Sequence, residues 1–361
     1  MSHAADDGGE RGGDGGEVAA PKPPPRVIDA HAHIAHEDFI PRSFVDGSID
    51  NLLVAMHARG MPLPRAKVAR MYEKKMQDPL CDTLVAEMDE AGIATSILLA
   101  ADFSYVLRDS KLTAEEGLKR HHEVKLRHQG RLEVFGGIDP RWGKDGVDLF
   151  ERSLRDWGFS GLKLYPPCGF SPSEPALDPF YELCDAYGVP ALVHIGPTSP
   201  VLGFSTTAPF LLDEAARRFP RVQFILAHGA VSFTEECAML CNFRPNVYLD
   251  LSAFQGAICP GGGPAAVKTA VSRGVNHKIL FGTDWPVFRM QADQKTFVEA
   301  VTTDGGPLAA VPERDRDLIL CGNVERILKL RRSPEPAHAR AHAPEKAEKA
   351  EKPEKAGPVP A

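Results

Sequence analysis

The sequence has no pair of cysteines spaced C-x-x-C, and its seven cysteines are an odd number. We therefore expect neither a disulfide framework nor a zinc finger, but reduced thiols in a cytoplasm. The longest apolar stretch, around residues 92–101, is too short to cross a membrane, and the acidic start of the chain lacks the apolar segment of a secretory signal. A net charge of -7 gives no reason to expect binding to nucleic acid, whose protein partners have basic surfaces. These features favour a cytoplasmic globular protein without a membrane or nucleic-acid partner.

Both ends of the chain differ in composition from the centre. Residues 1–25 are rich in Gly, Asp and Glu, and residues 332–361 alternate Ala, Glu, Lys and Pro. Neither segment has enough apolar surface to offset the entropy lost on ordering. We predict two disordered tails, with docking of the charged C-terminal tail as the alternative, around one domain at residues 26–331.

Strand-like and helix-like segments alternate within this domain. The eight predicted strands are RVIDAHA from Arg26, ATSILLA from Ala94, RLEVFGGID from Arg131, GLKLYP from Gly161, PALVHI from Pro190, VQFILAH from Val222, NVYLDLS from Asn246 and KILFGTD from Lys278. Helical patterns lie between them, and two are followed by the helix-ending glycines Gly92 and Gly188. Strands that are apolar nearly throughout are typical of a parallel sheet covered on both faces. The sequence therefore predicts a (β/α)8 TIM barrel, with an open doubly wound sheet as the competing topology.

Four predicted strands end in side chains that can bind metal or transfer protons. These side chains are His31 and His33, His194, His228 and Asp284. The C-terminal ends of barrel strands meet at one face, which only a closed sheet achieves for the first, fifth, sixth and eighth strands. Imidazoles and a carboxylate meeting there suit a divalent transition metal, zinc first.

Five other histidines are predicted to be structural or exposed. His36 follows the first strand in a loop, and His277 precedes the last strand at the opposite end of the barrel. Three more, on a charged amphipathic helix, are His121, His122 and His128. We also expect Asp29, one step deeper than His31 on the same strand face, to hydrogen-bond a ligand imidazole.

The motifs together resemble a known family. VIDAHAH, LKLYP, LVHIG, LAHGA, FGTDWP and GNVERIL, in this order over residues 27–330, are similar to those of the amidohydrolase-related metal-dependent hydrolases of TIM-barrel fold. The resemblance implies that His31, His33, His194 and Asp284 bind the metal. It further implies that His228 assists as acid, base or electrophile.

The resemblance leaves the reaction open. The family that the motifs resemble contains hydrolases of amides, esters and lactones, as well as decarboxylases of the aminocarboxymuconate semialdehyde type. Our main prediction is hydrolysis by a metal-activated water on a small, carboxylate-bearing substrate, with Asp284 and His228 as catalytic groups. The alternative is non-oxidative decarboxylation of an unsaturated or aromatic carboxylate. A metal-stabilised barrel without catalysis is the further alternative, and a homo-oligomer is compatible with the sequence.

The number of metal ions that we expect depends on whether Lys163 is carboxylated. In larger relatives a lysine on the fourth strand is carboxylated and bridges two metals, whereas a single ion is usual in the resembling branch. We therefore expect one divalent ion, zinc or alternatively manganese, and two if Lys163 is carboxylated; otherwise Lys163 contacts the substrate. The predicted substrate-binding residues are Arg141, whose planar fork matches a carboxylate, with Tyr165, Phe170 and Trp285.

Overall fold

The fold is a barrel of eight parallel strands in a computed structural model that describes residues 26–256 and 263–329. Each strand pairs with the next along the chain, in the order β1 to β8. The strands are β1 Val27–Ala32, β2 Ile93–Leu99, β3 Leu132–Gly137, β4 Gly161–Leu164, β5 Ala191–His194, β6 Phe224–Ala227, β7 Val247–Asp250 and β8 Ile279–Leu280. The prediction of a (β/α)8 barrel is confirmed.

Hydrogen bonds between β1 and the segment after β8 close the sheet. Ala30 N donates to Phe281 O at 2.9 Å, and His33 N donates to Trp285 O at 2.7 Å. Asp284 N donates to His31 O at 2.8 Å. The last strand is therefore shorter than predicted, because its C-terminal part pairs irregularly with β1. This closure excludes the open doubly wound sheet.

The strands are buried on both faces. Within β5, Leu192 packs inside the barrel with Ile28 and Ile225, whereas Val193 packs in the outer layer between strands and helices. This two-sided burial explains why the strands are apolar nearly throughout.

At Gly161 a Cβ atom would lie 2.6 Å from the Phe135 ring, so the close approach of β3 and β4 requires glycine there.

Helices connect the strands on the outside of the barrel. They are α1 Arg42–Ala58, α2 Arg65–Lys75, α3 Asp82–Ala91, α4 Ala114–Arg127, α5 Gly143–Arg155, α6 Asp178–Tyr187, α7 Asp213–Arg218, α8 Thr234–Phe243, α9 Gly263–Val271, α10 Gln294–Thr302, α11 Glu313–Asp317 and α12 Asn323–Leu328. Gly92 and Gly188 end α3 and α6 in the left-handed conformation, as predicted. None of the helices in the described ranges is long and apolar enough to cross a membrane.

The connection between β1 and β2 contains two helices in addition to the predicted helix that ends at Gly92. Helices α1 and α2 both lie in the long connection between β1 and β2, and they contact each other. Their inner sides form part of the cavity described below. The predicted disordered tails lie outside the described residues.

Candidate metal centre and active site

The C-terminal ends of β1, β5, β6 and β8 place the predicted functional side chains at one end of the barrel. His31, His194, His228 and Asp284 are each at most 7% exposed. His228 and Asp284 have left-handed backbone conformations, with φ of 62° and 57°. Non-glycine residues seldom adopt this conformation without structural support, and such strain concentrates at functional sites.

The rings of His31 and His33 are each held by a hydrogen bond from Nδ1. His33 Nδ1 lies 2.9 Å from the carbonyl oxygen of Leu99, and His31 Nδ1 lies 2.9 Å from Asp250 Oδ2. Carbonyl and carboxylate oxygens only accept, so Nδ1 carries the proton in both rings. Each Nε2 therefore presents a lone pair, as a metal-binding histidine requires.

These lone pairs meet the carboxylate of Asp284. Its Oδ1 lies 3.3 Å from His33 Nε2 and 3.5 Å from His31 Nε2. His31 Nε2 is buried and has no hydrogen-bond partner among the described residues. Two imidazole nitrogens and a carboxylate oxygen within 4.8 Å of one another can hold a metal ion. The donor set therefore fits a divalent transition metal.

Asp250, at the end of β7, is a site residue that the sequence reasoning missed. It is fully buried, and its carboxylate accepts hydrogen bonds from His31 Nδ1 and from the backbone nitrogen of His228 at 2.8 Å. Asp250, and not Asp29, thus orients the imidazole of His31, the predicted metal ligand. Asp29 accepts instead from the backbone nitrogens of His31 and Thr283. The available signal was NVYLD, an apolar run that ends in Asp as ILFGTD does.

Asp250 also determines which nitrogen of His228 carries a proton. Its carboxylate accepts from Ser252 Oγ, so Ser252 must accept from His228 Nδ1 at 2.8 Å. His194 Nε2 likewise donates to the Pro197 carbonyl at 3.0 Å. The remaining nitrogens, His228 Nε2 and His194 Nδ1, face each other 3.3 Å apart. Two lone pairs at this distance require a proton or a cation between them.

Burial sets the charge of the groups at this centre. It lowers the pKa of His31 and of His194 well below the usual range, and the Lys163 ammonium lowers both further. Burial also lowers the pKa of His228, although Asp284 and Asp250 act in the opposite direction. Burial raises the pKa of Asp284, but the neighbouring imidazoles outweigh it and the net shift is downward. Neutral imidazoles beside an ionised carboxylate are what a metal site requires.

Lys163 lies within the same cluster, at the fourth strand. It is 1% exposed, and its Nζ has no hydrogen-bond partner among the described residues. Burial lowers its pKa to about 8, while Asp250 and Asp284 act to raise it. An unpaired buried ammonium is costly, so the site favours a bound anion or chemical modification of the amine.

A cavity of about 630 Å³ opens above the candidate metal-binding atoms. Its floor includes His33, His194, Asp284 and Tyr165. The Tyr165 ring packs 4.3 Å from the ring of His194, and its hydroxyl lies 2.9 Å from Thr198 Oγ1. The predicted metal ligands therefore line, or lie directly beneath, a space large enough for a small organic molecule.

The other predicted substrate-binding residues do not line this cavity. Arg141 forms a two-pronged ion pair with Asp139 and donates to the Cys168 carbonyl, so its fork is already occupied. Phe170 is buried in the outer core. The Trp285 ring is buried, and its Nε1 donates to Glu87 at 3.2 Å.

The chain belongs to the amidohydrolase family. The family model described as amidohydrolase matches residues 28–330, nearly the whole of the barrel. This match confirms the resemblance that the motifs indicated. No curated protein matches the chain.

Solved structures share the fold at low sequence identity. An uncharacterised TIM-barrel protein of Bordetella bronchiseptica is 19% identical, covering 84% of this chain and 98% of its own, with a TM-score of 0.61. The 5-carboxyvanillate decarboxylase of Sphingomonas paucimobilis is 16% identical over 84% and 99%, with a TM-score of 0.59. A dihydroxybenzoic acid decarboxylase of Polaromonas sp. JS666, which holds manganese and the inhibitor 2-nitroresorcinol, is 19% identical over 86% and 98%, with a TM-score of 0.53.

Proposed function

We propose that the protein is a metal-dependent carboxy-lyase, which removes the carboxylate of an unsaturated or aromatic acid without oxidation. The observation that carries this proposal is the pair of facing nitrogens, His228 Nε2 and His194 Nδ1, 3.3 Å apart. A second proton on His228 would satisfy this pair. Burial opposes this protonation, whereas Asp284 and Asp250 favour it, and Asp250 is linked to His228 through Ser252. His228 then holds a proton that it can transfer to carbon. Two relatives of the same fold act on aromatic acids, which supports this choice over hydrolysis.

His31, His33, His194 and Asp284 would hold the metal. In that case His194 Nδ1 would bind the ion instead of accepting from His228, and the His228 proton would be available to the substrate. When bound, a divalent cation draws electron density from the substrate and offsets its negative charge. Zinc suits three imidazoles and a carboxylate, whereas manganese is the ion in the Polaromonas relative. Loading the purified protein with each ion and comparing turnover identifies the working metal.

The chain's own groups then account for the reaction. The bond between the substrate carbon and its carboxylate breaks, carbon dioxide leaves, and the electron pair remains on that carbon. His228 Nε2 delivers a proton to it, so that one hydrogen replaces one carboxylate. Lys163, buried near Asp250 and Asp284, adds positive charge to the centre, and Tyr165 would pack against the substrate at the cavity floor.

Hydrolysis is the second candidate, and the same pair of nitrogens favours it under one condition. If the neutral amine of Lys163 adds carbon dioxide and releases a proton, the resulting carbamate is an anionic ligand. His194 and His228, with this carbamate, could then hold a second cation instead of a shared proton. Asp284 would accept a proton from the attacking water and pass it to the leaving group.

Isotope labelling separates the two reactions. We would incubate the metal-loaded protein with aromatic and unsaturated carboxylates in deuterium oxide, and with lactones, esters and amides in water enriched in oxygen-18. Decarboxylation predicts carbon dioxide release and one deuterium on the former carboxylate carbon. The variant His228→Asn should lower turnover about a hundredfold or more while the metal remains bound. Oxygen-18 in an acid product, without carbon dioxide, would establish hydrolysis instead.

A further inference from the structure

We propose that the substrate carries its carboxylate on a large apolar body, of two rings or an equivalent size, and not on a single ring. This inference rests on the proposed function only for the carboxylate. The size and apolar character of the body follow from the cavity itself.

The cavity is polar at its floor and apolar over most of its walls. His33, His194 and Asp284 lie at the floor, next to the metal-binding atoms. The apolar wall residues above them are Ile40, Phe44, Leu52, Ala55, Met56, Leu63, Val68, Met71, Phe103, Val287, Phe288 and Met290. A ligand that matches both parts has one polar end and an extended apolar end.

Helix α1 supplies one of these walls by its periodicity. Phe44, Ser48, Leu52, Ala55 and Met56 recur at spacings of three and four residues, which places them on one helix face. Methionines on α1, on α2 and after β8 contribute flexible, polarizable side chains, which adapt to apolar ligands of varied shape. This wall belongs to the long connection between β1 and β2.

Aromatic rings connect the metal centre to this wall. The Tyr165 ring lies 4.3 Å from His194 and 5.1 Å from Phe103, and Phe103 lies 5.2 Å from Phe44 on α1. A planar substrate can therefore pack on aromatic surface along its whole length, from the floor to α1.

The described lining of the cavity offers no Lys or Arg partner for a second anionic group on the substrate. No Arg or Lys occurs among the described residues that line it, and Asp284 is the acidic one. A second carboxylate against the apolar walls would be buried without a partner. A single-ring acid would leave much of the 630 Å³ to water against apolar surface.

Binding measurements test this inference separately from turnover. Calorimetry on the full, manganese-loaded chain would compare benzoate, 2-naphthoate and biphenyl-4-carboxylate as inert carboxylate probes. We expect the affinity to rise in this order, with biphenyl-4-carboxylate binding about tenfold or more tightly than benzoate, because the added ring buries apolar area.

Two substitutions on α1 provide a matched pair. Ala55→Trp fills the cavity wall, whereas Val54→Trp adds the same ring next to it at a position that is 71% exposed. Ala55→Trp should remove most of the gain for biphenyl-4-carboxylate and leave benzoate binding unchanged, and Val54→Trp should change neither. Met56→Gln, which conserves length and adds polarity, should also weaken the larger probe.

The outcomes distinguish this inference from the proposed function. Equal affinity for all three probes, or equal effects of Ala55→Trp and Val54→Trp, would overturn the large apolar substrate. The expected binding pattern without carbon dioxide release from any larger carboxylate would leave the inference standing and refute the carboxy-lyase. Carbon dioxide release from single-ring acids alone would support the carboxy-lyase and overturn the large apolar substrate.

Discussion

His31 Nδ1 lies 2.9 Å from Asp250 Oδ2, across 219 positions of the chain. The same carboxylate accepts hydrogen bonds from the backbone nitrogen of His228 and from the hydroxyl of Ser252. One buried group at the end of β7 therefore orients both a proposed metal ligand and the proposed proton donor. This arrangement gives Asp250 two separable effects.

We expect Asp250→Asn to weaken metal binding about 10- to 100-fold and to lower turnover as well, because an amide cannot accept from all of these donors as a carboxylate does. Chelator competition measures the metal affinity without relying on activity. Ser252→Ala is the matched comparison, since it interrupts the link to His228 and leaves the Asp250–His31 hydrogen bond in place. Unchanged metal affinity in Asp250→Asn would contradict the assigned orientation of His31.

Metal analysis tests the ligand set. Purified protein should contain about one divalent ion per chain, or about two if Lys163 is carboxylated. Replacing His31 and His33 by Ala should remove the ion, whereas His36→Ala, in the loop after β1, should retain it. If two ions are found, bicarbonate should raise occupancy and Lys163→Ala should leave one. Stoichiometric metal in the double variant would refute the site.

The stability of the barrel should depend on pH through His121. Burial lowers the pKa of this α4 histidine from 6.5 to about 4, although its Nδ1 lies 2.7 Å from the Gly117 carbonyl. The folded protein binds this proton more weakly than the unfolded chain does. The contribution of neutral His121 to the free energy of unfolding is therefore fully present above pH 6.5 and is lost as the pH falls toward 4. The difference between these two pKa values corresponds to roughly 3 kcal/mol in the free energy of unfolding.

Urea unfolding at several pH values between 7 and 4.5 measures this effect. His121→Leu should lose stability less steeply on acidification than the unchanged protein does, since it has no imidazole to protonate at this position. His57→Leu, at an exposed position of α1, serves as the control and should retain the original pH dependence. Parallel curves for the unchanged protein and His121→Leu would contradict the prediction.

Deleting residues 1–24 and 334–361 should leave melting temperature and metal content nearly unchanged. These segments lack the apolar residues that would pack on the barrel. Thermal unfolding with and without each segment provides the measurement. A fall of several degrees after either deletion would show that the segment docks on the domain.

The sequence by itself determined the strands and the strand ends that carry the candidate site residues. An apolar run followed by His or Asp is a local pattern, and it occurs at β1, β5, β6 and β8. Burial of each strand on both faces of the sheet explains the apolar run. The closing glycines Gly92 and Gly188 were equally readable, because a left-handed helix end favours glycine locally. The family motifs extended the same local information.

Tertiary structure decided the partners of these groups. Asp250 follows an apolar run as Asp284 does, but only closure of the barrel places it against His31. Arg141 was a reasonable anion-binding group by its chemistry, yet its neighbour Asp139 occupies its guanidinium. Helices α1 and α2 line the cavity, and this role arises from their packing over the barrel end. Hydrogen bonds and cavities depend on distances between remote residues, which a local pattern does not encode.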